Sequence, residues 1–92
     1  MHPIAYTATV TVTLKNSILD PQGQTGLQAL NSLGFQNALD LRVGKYYVIK
    51  VNSANEVEAK QTVEEMCNKL LVNPVIEQIQ FVKVEPSQGT SV

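Results

Sequence analysis

The sequence is short of the residues that carry most enzyme chemistry. It has one cysteine and one histidine in 92 residues. A lone cysteine excludes a disulfide within the chain and any cysteine-rich metal site. His2 lies in a terminus that we expect to fray, and Cys67 falls in an apolar helical stripe where an inert buried thiol is expected. The sequence therefore predicts no catalytic, metal-binding or cofactor-binding residue.

Charge is also scarce. Charged residues make up 16% of the chain and the formal net charge is -1, against about 25% charged residues in an ordinary globular domain. No run of lysine and arginine offers a footprint for nucleic acid or for an anionic membrane. No apolar run approaches the roughly 20 residues of a membrane span, and no basic region or apolar signal segment begins the chain. We expect a cytoplasmic protein that binds neither nucleic acid nor membrane.

The short length limits the core. A domain of this size buries only about 60% of the surface that its unfolded chain exposes. We therefore expect the chain to form oligomers. Residues 1–85 are predicted to form a single domain, and residues 86–92 a disordered tail without apolar partners.

Two regular patterns open the chain. Apolar residues alternate with threonines from Ile4 to Leu14, which predicts a strand with one buried face and one threonine face. Asp20 and Pro21 then indicate the start of a helix. A leucine stripe follows and ends at Gly34, for which we expect a left-handed C-cap, with Phe35 packing back onto the last turn.

The central segment from Ala38 to Val51 has strand character and leaves two alternatives open. Six of its apolar residues are odd-numbered, whereas the charged residues Asp40, Arg42 and Lys50 are even-numbered; the apolar six are Leu39, Leu41, Val43, Tyr47, Ile49 and Val51. A tight two-residue hairpin at Gly44 and Lys45 would place Lys50 on the same face as Leu39, which conflicts with this pattern. A hairpin with a three-residue loop satisfies it, and so does one long strand bent at Gly44. The first gives four strands, and the second a strand long enough to be shared between subunits.

The second half predicts a helix and a last strand. Ser53 and Glu56 form a capping-box pattern, and the helix that follows is expected to end near Val72, before Asn73 and Pro74. Its predicted apolar stripe is Val63, Met66, Cys67, Leu70 and Leu71. In the strand from Val75 to Val84 the apolar parity switches, which indicates either a β-bulge or a second face covered by a partner.

These elements predict the α+β class, a two-layer sandwich with two helices on a mainly antiparallel sheet, ferredoxin-like, in the order β-α-β(β)-α-β. Two activities hosted by such folds fit poorly. An acylphosphatase-like enzyme needs an arginine in the loop after the first strand, and the only arginine here is Arg42. An RNA-recognition motif stacks bases on aromatic residues of its sheet, where this first strand presents threonines.

Four segments together resemble one family. They are SILDPQG at 17–23, LQAL at 27–30, DLRVGKY at 40–46 and MCNKLLVNPVIE at 66–77. In this order they are similar to the PurS family, the small subunit of bacterial and archaeal phosphoribosylformylglycinamidine synthase. The resemblance covers essentially residues 4–85.

The resemblance implies a noncatalytic subunit of a purine-biosynthesis amidotransferase. The complex converts formylglycinamide ribonucleotide, glutamine and ATP to formylglycinamidine ribonucleotide, glutamate, ADP and phosphate. PurS bridges the large synthetase subunit, which uses ATP and Mg²⁺, and the glutaminase subunit, and is implied to assist ammonia transfer. A homodimer or homotetramer is also implied.

The central stretch supplies the predicted subunit interface: Asp40, Arg42, Gly44, Lys45 and Tyr46. The plainer interpretation is that the charged residues only decorate a solvated strand and that Gly44 serves backbone geometry. In a continuous strand Arg42 and Lys45 would lie on opposite faces. The alternative function is a stand-alone ferredoxin-like regulatory domain that binds a small ligand between protomers.

Overall fold

The fold is built on its first strand, in a computed structural model that describes residues 4–87. β1 (Ile4–Leu14) lies between β2 (Gly44–Ser53) and β3 (Glu77–Pro86) and is antiparallel to both. The helices α1 (Pro21–Ser32) and α2 (Glu56–Met66) complete the order β-α-β-α-β. The predicted α+β class is confirmed, in its three-stranded version.

β1 divides its side chains between two faces as predicted. The buried face carries Tyr6, Ala8, Val10 and Val12, and the threonines between them lie on the other side. Directly opposed residues of antiparallel strands share a face. The register therefore also shows on which face each side chain of β2 and β3 lies. We call the threonine side the open face, and its largest apolar members are Tyr46, Val48 and Phe81.

α1 ends with the predicted glycine cap. Gly34 has a φ of +106°, a conformation that glycine adopts without the steric cost of a Cβ. Its N–H donates to the carbonyl of Asn31 at 3.1 Å, and the N–H of Phe35 donates to that of Leu30 at 3.0 Å. These two bonds form a complete Schellman motif.

The segment before β2 differs from both structures predicted for the centre of the chain. Residues 38–43 form no strand, and β2 begins only at Gly44, opposite Thr13. The hairpin and the long bent strand are therefore both wrong. The physical reason is that the N–H of Val43 donates to the carboxylate of Asp20 at 2.8 Å, instead of joining a sheet ladder.

α2 begins two residues later than the capping-box pattern indicates. The N-cap is Asn55, whose side-chain oxygen accepts the N–H of Glu58 at 2.9 Å. The predicted capping box of Ser53 and Glu56 is wrong because β2 extends through Ser53, whose hydroxyl donates to the Asn55 carbonyl at 3.1 Å.

A π turn at the end of α2 changes which of its side chains point towards the core. The helix continues as Cys67–Leu71 with π geometry, and the backbone becomes extended at Val72, where the helix was predicted to end. Val63 and Cys67 are fully buried as expected, but Leu70 is 82% exposed. The extra residue in a π turn rotates the residues after it, so Leu70 leaves the predicted apolar stripe.

β3 contains a β-bulge, which is one of the two explanations that its parity switch leaves open. Thr11 is paired with Phe81 and Val12 with Ile79, which leaves Gln80 as the additional residue. A bulge of one residue reverses the face on which later side chains lie. The switch in apolar parity therefore needs no covering partner to explain it.

The sheet extends into the predicted tail. Pro86 ends β3, and the N–H of Ser87 donates to the carbonyl of Ala5 at 2.9 Å. The predicted boundary at residue 86 is therefore wrong for these two residues, and Gln88–Val92 lie outside the described residues.

Only one helix covers the sheet. α2 packs against all three strands, whereas no Cα of α1 comes within 8 Å of a strand or of α2 among the described residues. The radius of gyration is 17.2 Å, against about 12 Å for a compact chain of this length. The buried apolar core is accordingly small and consists of Tyr6, Ala8, Val10, Val12, Ala59, Val63, Cys67 and Val72.

A matched pair of valines in α2 tests this placement of the core. Val63 is fully buried and Val57 is 66% exposed. Val63→Ala should lower the free energy of unfolding by about 2 kcal/mol, because buried carbon atoms are lost and a cavity remains. Val57→Ala should change it by less than about 0.5 kcal/mol. Urea unfolding measures both, and equal losses would contradict this core.

Candidate interaction surface

A buried carboxylate joins the two segments that lead to the predicted interface. Asp20 is 5% exposed. One of its oxygens accepts the N–H of Gly23 at 2.9 Å, and the other accepts the N–H of Val43 at 2.8 Å. We call this pair of hydrogen bonds the Asp20 bridge. It fixes the start of α1 to the entry of β2.

The bridge stabilises the ionised form of the carboxyl group. The hydrogen bond from Val43 lowers the pKa of Asp20 most, followed by the bond from Gly23, while burial opposes the shift and the positive charge of Arg42 adds to it. Backbone N–H donors favour a carboxylate over a carboxylic acid because they interact more strongly with the negative charge.

Arg42 and Asp40 lie beside the bridge in a polar pocket of about 330 Å³. The Arg42 guanidinium donates to the carbonyls of Leu14 and Lys15 at 3.4 and 3.2 Å, which holds it at the end of β1. From within residues 4–87, the side chain of Asp40 accepts one hydrogen bond, from the neighbouring N–H of Leu41 at 2.9 Å. We call this site the Arg42 pocket; it is exposed and carries both signs of charge.

Lys45 lies on the face of the sheet that α2 covers, opposite Val12 of β1, and forms an ion pair with Glu77. Its Nζ is 3.0 Å from Glu77 Oε2. The hydrogen bond to Glu77 raises the pKa of Lys45. The N–H of Asn73, which donates to Glu77 Oε1 at 2.8 Å, lowers the pKa of Glu77 most, and Lys45 lowers it further. This pair ties the start of β2 to the start of β3 across β1.

Tyr46 lies on the open face. It is 69% exposed, and Phe81 is 56% exposed on the opposite side of the same β1 residue, Thr11. Val48, 59% exposed, extends this apolar patch along β2. Large exposed apolar side chains that lie together are typical of protein interaction sites.

Gly44 is required by the backbone of β1. A Cβ at this position would lie 2.7 Å from the carbonyl oxygen of Val12, closer than real Cβ atoms approach. This favours the plainer interpretation for Gly44.

The five predicted interface residues therefore do not form one surface. The structure places Asp40 and Arg42 in the Arg42 pocket, Lys45 on the helix-covered face and Tyr46 on the open face. Because β2 begins at Gly44, Arg42 is not part of the strand. The alternation of side chains along a strand therefore does not determine where Arg42 lies relative to Lys45.

Sequence reasoning missed two features of this region. The hydrogen bond that the Val43 N–H donates to the Asp20 carboxylate joins residues 23 positions apart, and no local pattern predicts it. The patch on the open face left a weak signal, because Val48 and Phe81 are the apolar residues that break the alternation of their strands.

The single cysteine lies where its thiolate form is disfavoured. Burial raises the pKa of the Cys67 thiol, and the nearby Glu64 adds to the effect. Within residues 4–87 no group of three or more His, Cys, Asp or Glu side chains is arranged to hold a metal ion. No helix in that range is both long and apolar enough to cross a membrane. His2 lies outside the described residues.

Comparisons with known proteins agree on one family. The family model described as PurS, phosphoribosylformylglycinamidine (FGAM) synthase, matches residues 7–85. Phosphoribosylformylglycinamidine synthase subunit PurS from Methanocaldococcus jannaschii is 46% identical over 80 residues, which are 87% of this chain and 95% of the relative.

Solved structures agree with this match. The crystal structure of M. jannaschii PurS, a subunit of formylglycinamide ribonucleotide amidotransferase, has a TM-score of 0.81 and 44% identity, covering 90% of this chain and 99% of its own. A chain in the structure of PurLQS from Thermotoga maritima has a TM-score of 0.77 and 28% identity, covering 90% of this chain and 98% of its own.

The Asp20 bridge predicts a specific response to acid. Because the folded pKa lies below the ordinary value of 3.8, the bridge contributes stability above about pH 3.8, and this contribution is lost as the pH falls through the folded pKa. Asp20→Asn should therefore lower the urea midpoint at pH 7, and the loss relative to the unsubstituted chain should shrink towards pH 2.5.

Asp40→Asn is the matched control, since in the part of the chain that the structure describes Asp40 accepts a single hydrogen bond, from the adjacent N–H of Leu41. Its urea midpoint should stay close to that of the unsubstituted chain at both pH values. The same loss at pH 7 for both variants would show that Asp20 has no special part in stability.

Proposed function

The chain belongs to the PurS family, and we propose that it is the small, noncatalytic subunit of phosphoribosylformylglycinamidine synthase. In this role it bridges the synthetase and glutaminase subunits of the amidotransferase that converts formylglycinamide ribonucleotide to formylglycinamidine ribonucleotide. The observation that carries the proposal is the match to the PurS family model over residues 7–85, on a chain whose fold is that of PurS structures.

The chemistry of the complex belongs, in this proposal, to the partner subunits. The synthetase subunit uses ATP and Mg²⁺, the glutaminase subunit releases ammonia, and the chain described here assists ammonia transfer by holding the two together. The inert environment of Cys67 and the scarcity of charge support a role in contact. The complex is proposed to work in the cytoplasm.

Two surfaces suit contact with the larger subunits. The patch of Tyr46, Val48 and Phe81 on the open face supplies apolar area, and aromatic side chains are enriched at the centres of interfaces. The Arg42 pocket supplies a fixed positive group, with Asp40 beside it, for polar recognition. Lys45 is a weaker candidate because Glu77 already neutralises it.

Reconstitution tests the role of the whole chain. The synthetase and glutaminase subunits, mixed with ATP and glutamine, should gain glutamine-dependent formation of formylglycinamidine ribonucleotide only when the 92-residue chain is added. Native mass measurement of the mixture should show all three subunits together. If the chain neither joins the other two nor restores glutamine-dependent turnover, the proposal is wrong. Stabilisation of the isolated chain by a metabolite would then favour the regulatory domain.

Single substitutions test the two proposed contact surfaces. Tyr46→Ala should weaken assembly at least about tenfold, because an aromatic residue central to an interface is lost. Val57→Ala is the matched control, since Val57 is 66% exposed and Tyr46 69%. Arg42→Gln, compared with Lys60→Gln on exposed α2 surface, tests the Arg42 pocket in the same titration. Equal affinities for a variant and its control would remove that surface from the interface.

A further inference from the structure

The Arg42 pocket has walls that carry charges of both signs but form no ion pair. Its lining contains one cation, Arg42, and two carboxylates, Asp20 and Asp40. No ion pair shorter than 4.0 Å within residues 4–87 involves any of these three side chains. The described part of the chain therefore leaves these charges without partners of opposite charge at contact distance.

Hydrogen bonds hold the two walls of this pocket in place. One wall is the loop at 16–20 and the other is the segment at 40–42. The Arg42 guanidinium donates to the carbonyl of Lys15 at 3.2 Å, and the Asp20 bridge joins the two walls a second time. The N–H of Ile18 donates to the same Lys15 carbonyl at 2.9 Å, which closes the loop. A ligand that enters a pocket formed in this way does not have to order its walls first.

Two of the three charged groups have atoms left for a ligand. A guanidinium has five N–H donors in a planar fork, and in Arg42 it is Nη2 that donates to backbone carbonyls. Within residues 4–87 its Nε and Nη1 have no acceptor, and arginine binds a carboxylate through two parallel hydrogen bonds. Asp40 accepts through Oδ1, so Oδ2 can accept from a positively charged donor. Asp20, in contrast, is buried and uses both oxygens in the Asp20 bridge.

The balance of charge indicates the class of ligand. Two carboxylates against one guanidinium disfavour a phosphate or a dicarboxylate, and the guanidinium disfavours a simple cation. A molecule with one carboxylate and one ammonium group matches Arg42 and Asp40 at once. The pocket volume of about 330 Å³ is at the small end for ligand sites, which suits a free amino acid better than a nucleotide.

We propose that the Arg42 pocket binds a free α-amino acid with an uncharged polar side chain, and glutamine in particular. Arg42 receives the α-carboxylate and Asp40 the α-ammonium group. Asn16 and Gln24 line the same pocket, and their amides can both donate to and accept from a side-chain carboxamide. The second carboxylate of glutamate would instead meet a lining with net negative charge. The inference concerns the chain without partners and does not rest on the proposed subunit role.

Titration of the isolated 92-residue chain with amino acids, followed by two-dimensional NMR, tests the class of ligand. L-Glutamine should bind with a dissociation constant of about 1 mM or lower. L-Glutaminamide, N-acetyl-L-glutamine and L-glutamate should each bind at least about tenfold more weakly, because each loses a matched charge or adds a repelled one. No binding of L-glutamine at about 10 mM, or equal affinity for the four compounds, would show that the proposal is wrong.

Two variants with matched controls locate the site in the same titration. Arg42→Gln and Asp40→Asn should each raise the dissociation constant for L-glutamine at least about tenfold. Lys60→Gln and Glu58→Gln, which remove the same charges from exposed positions of α2, should leave it unchanged. Circular dichroism identifies a variant that fails to fold, and Arg42→Lys, which keeps the charge but loses the fork, should then show the weakened binding.

The position of the ligand gives a second measurement that needs no variant. The amide signals that move with L-glutamine should be those of residues 16–20 and 40–42, which form the two walls. If the moving signals lie elsewhere, or if neither charge variant binds more weakly than its control, the amino acid does not occupy the Arg42 pocket. Because no synthetase or glutaminase subunit is present, this result is independent of whether the complex can be reconstituted.

Discussion

The structure depends on the two hydrogen bonds that the carboxylate of Asp20 accepts. Asp20 accepts the N–H of Gly23, as any helix N-cap of its kind would, and also the N–H of Val43 from the other end of the α1 segment. Both donors are backbone groups that otherwise need partners in a buried position. The bridge therefore decides the direction of α1 and the residue at which β2 begins.

The consequence of the bridge is an incomplete second layer. α2 covers the sheet and buries Val63 and Cys67, while α1 extends beyond it. A leucine-bearing helix without charged residues is thereby left exposed, together with an apolar groove beside α2 of about 520 Å³ whose apolar walls are Ile49, Met66, Leu70 and Leu71. Contiguous apolar surface of this kind is unfavourable in water and is typical of interaction sites.

Local signals predicted what local bonds determine. The strand from Ile4 to Leu14 and the glycine cap at Gly34 each follow from a few neighbouring residues, and the structure has both. The bulge in β3 was one of the two explanations that the local parity switch left open, and the structure contains it. The predictions for the centre of the chain were wrong because its conformation is set by the hydrogen bond between Val43 and Asp20, which are 23 residues apart. The predicted capping box at Ser53 was wrong because Ser53 is paired in the sheet as the last residue of β2. The predicted interface residues are divided because Asp40 and Arg42 precede β2, whereas Lys45 and Tyr46 are adjacent in β2 and therefore lie on opposite faces of the sheet.

The described residues present three separate surfaces. The groove beside α2 lies on the covered side of the sheet, whereas Tyr46, Val48 and Phe81 lie on the open face and Arg42 lies at the end of β1. The three surfaces use different residues, so an occupant of one of them leaves the other two in contact with water.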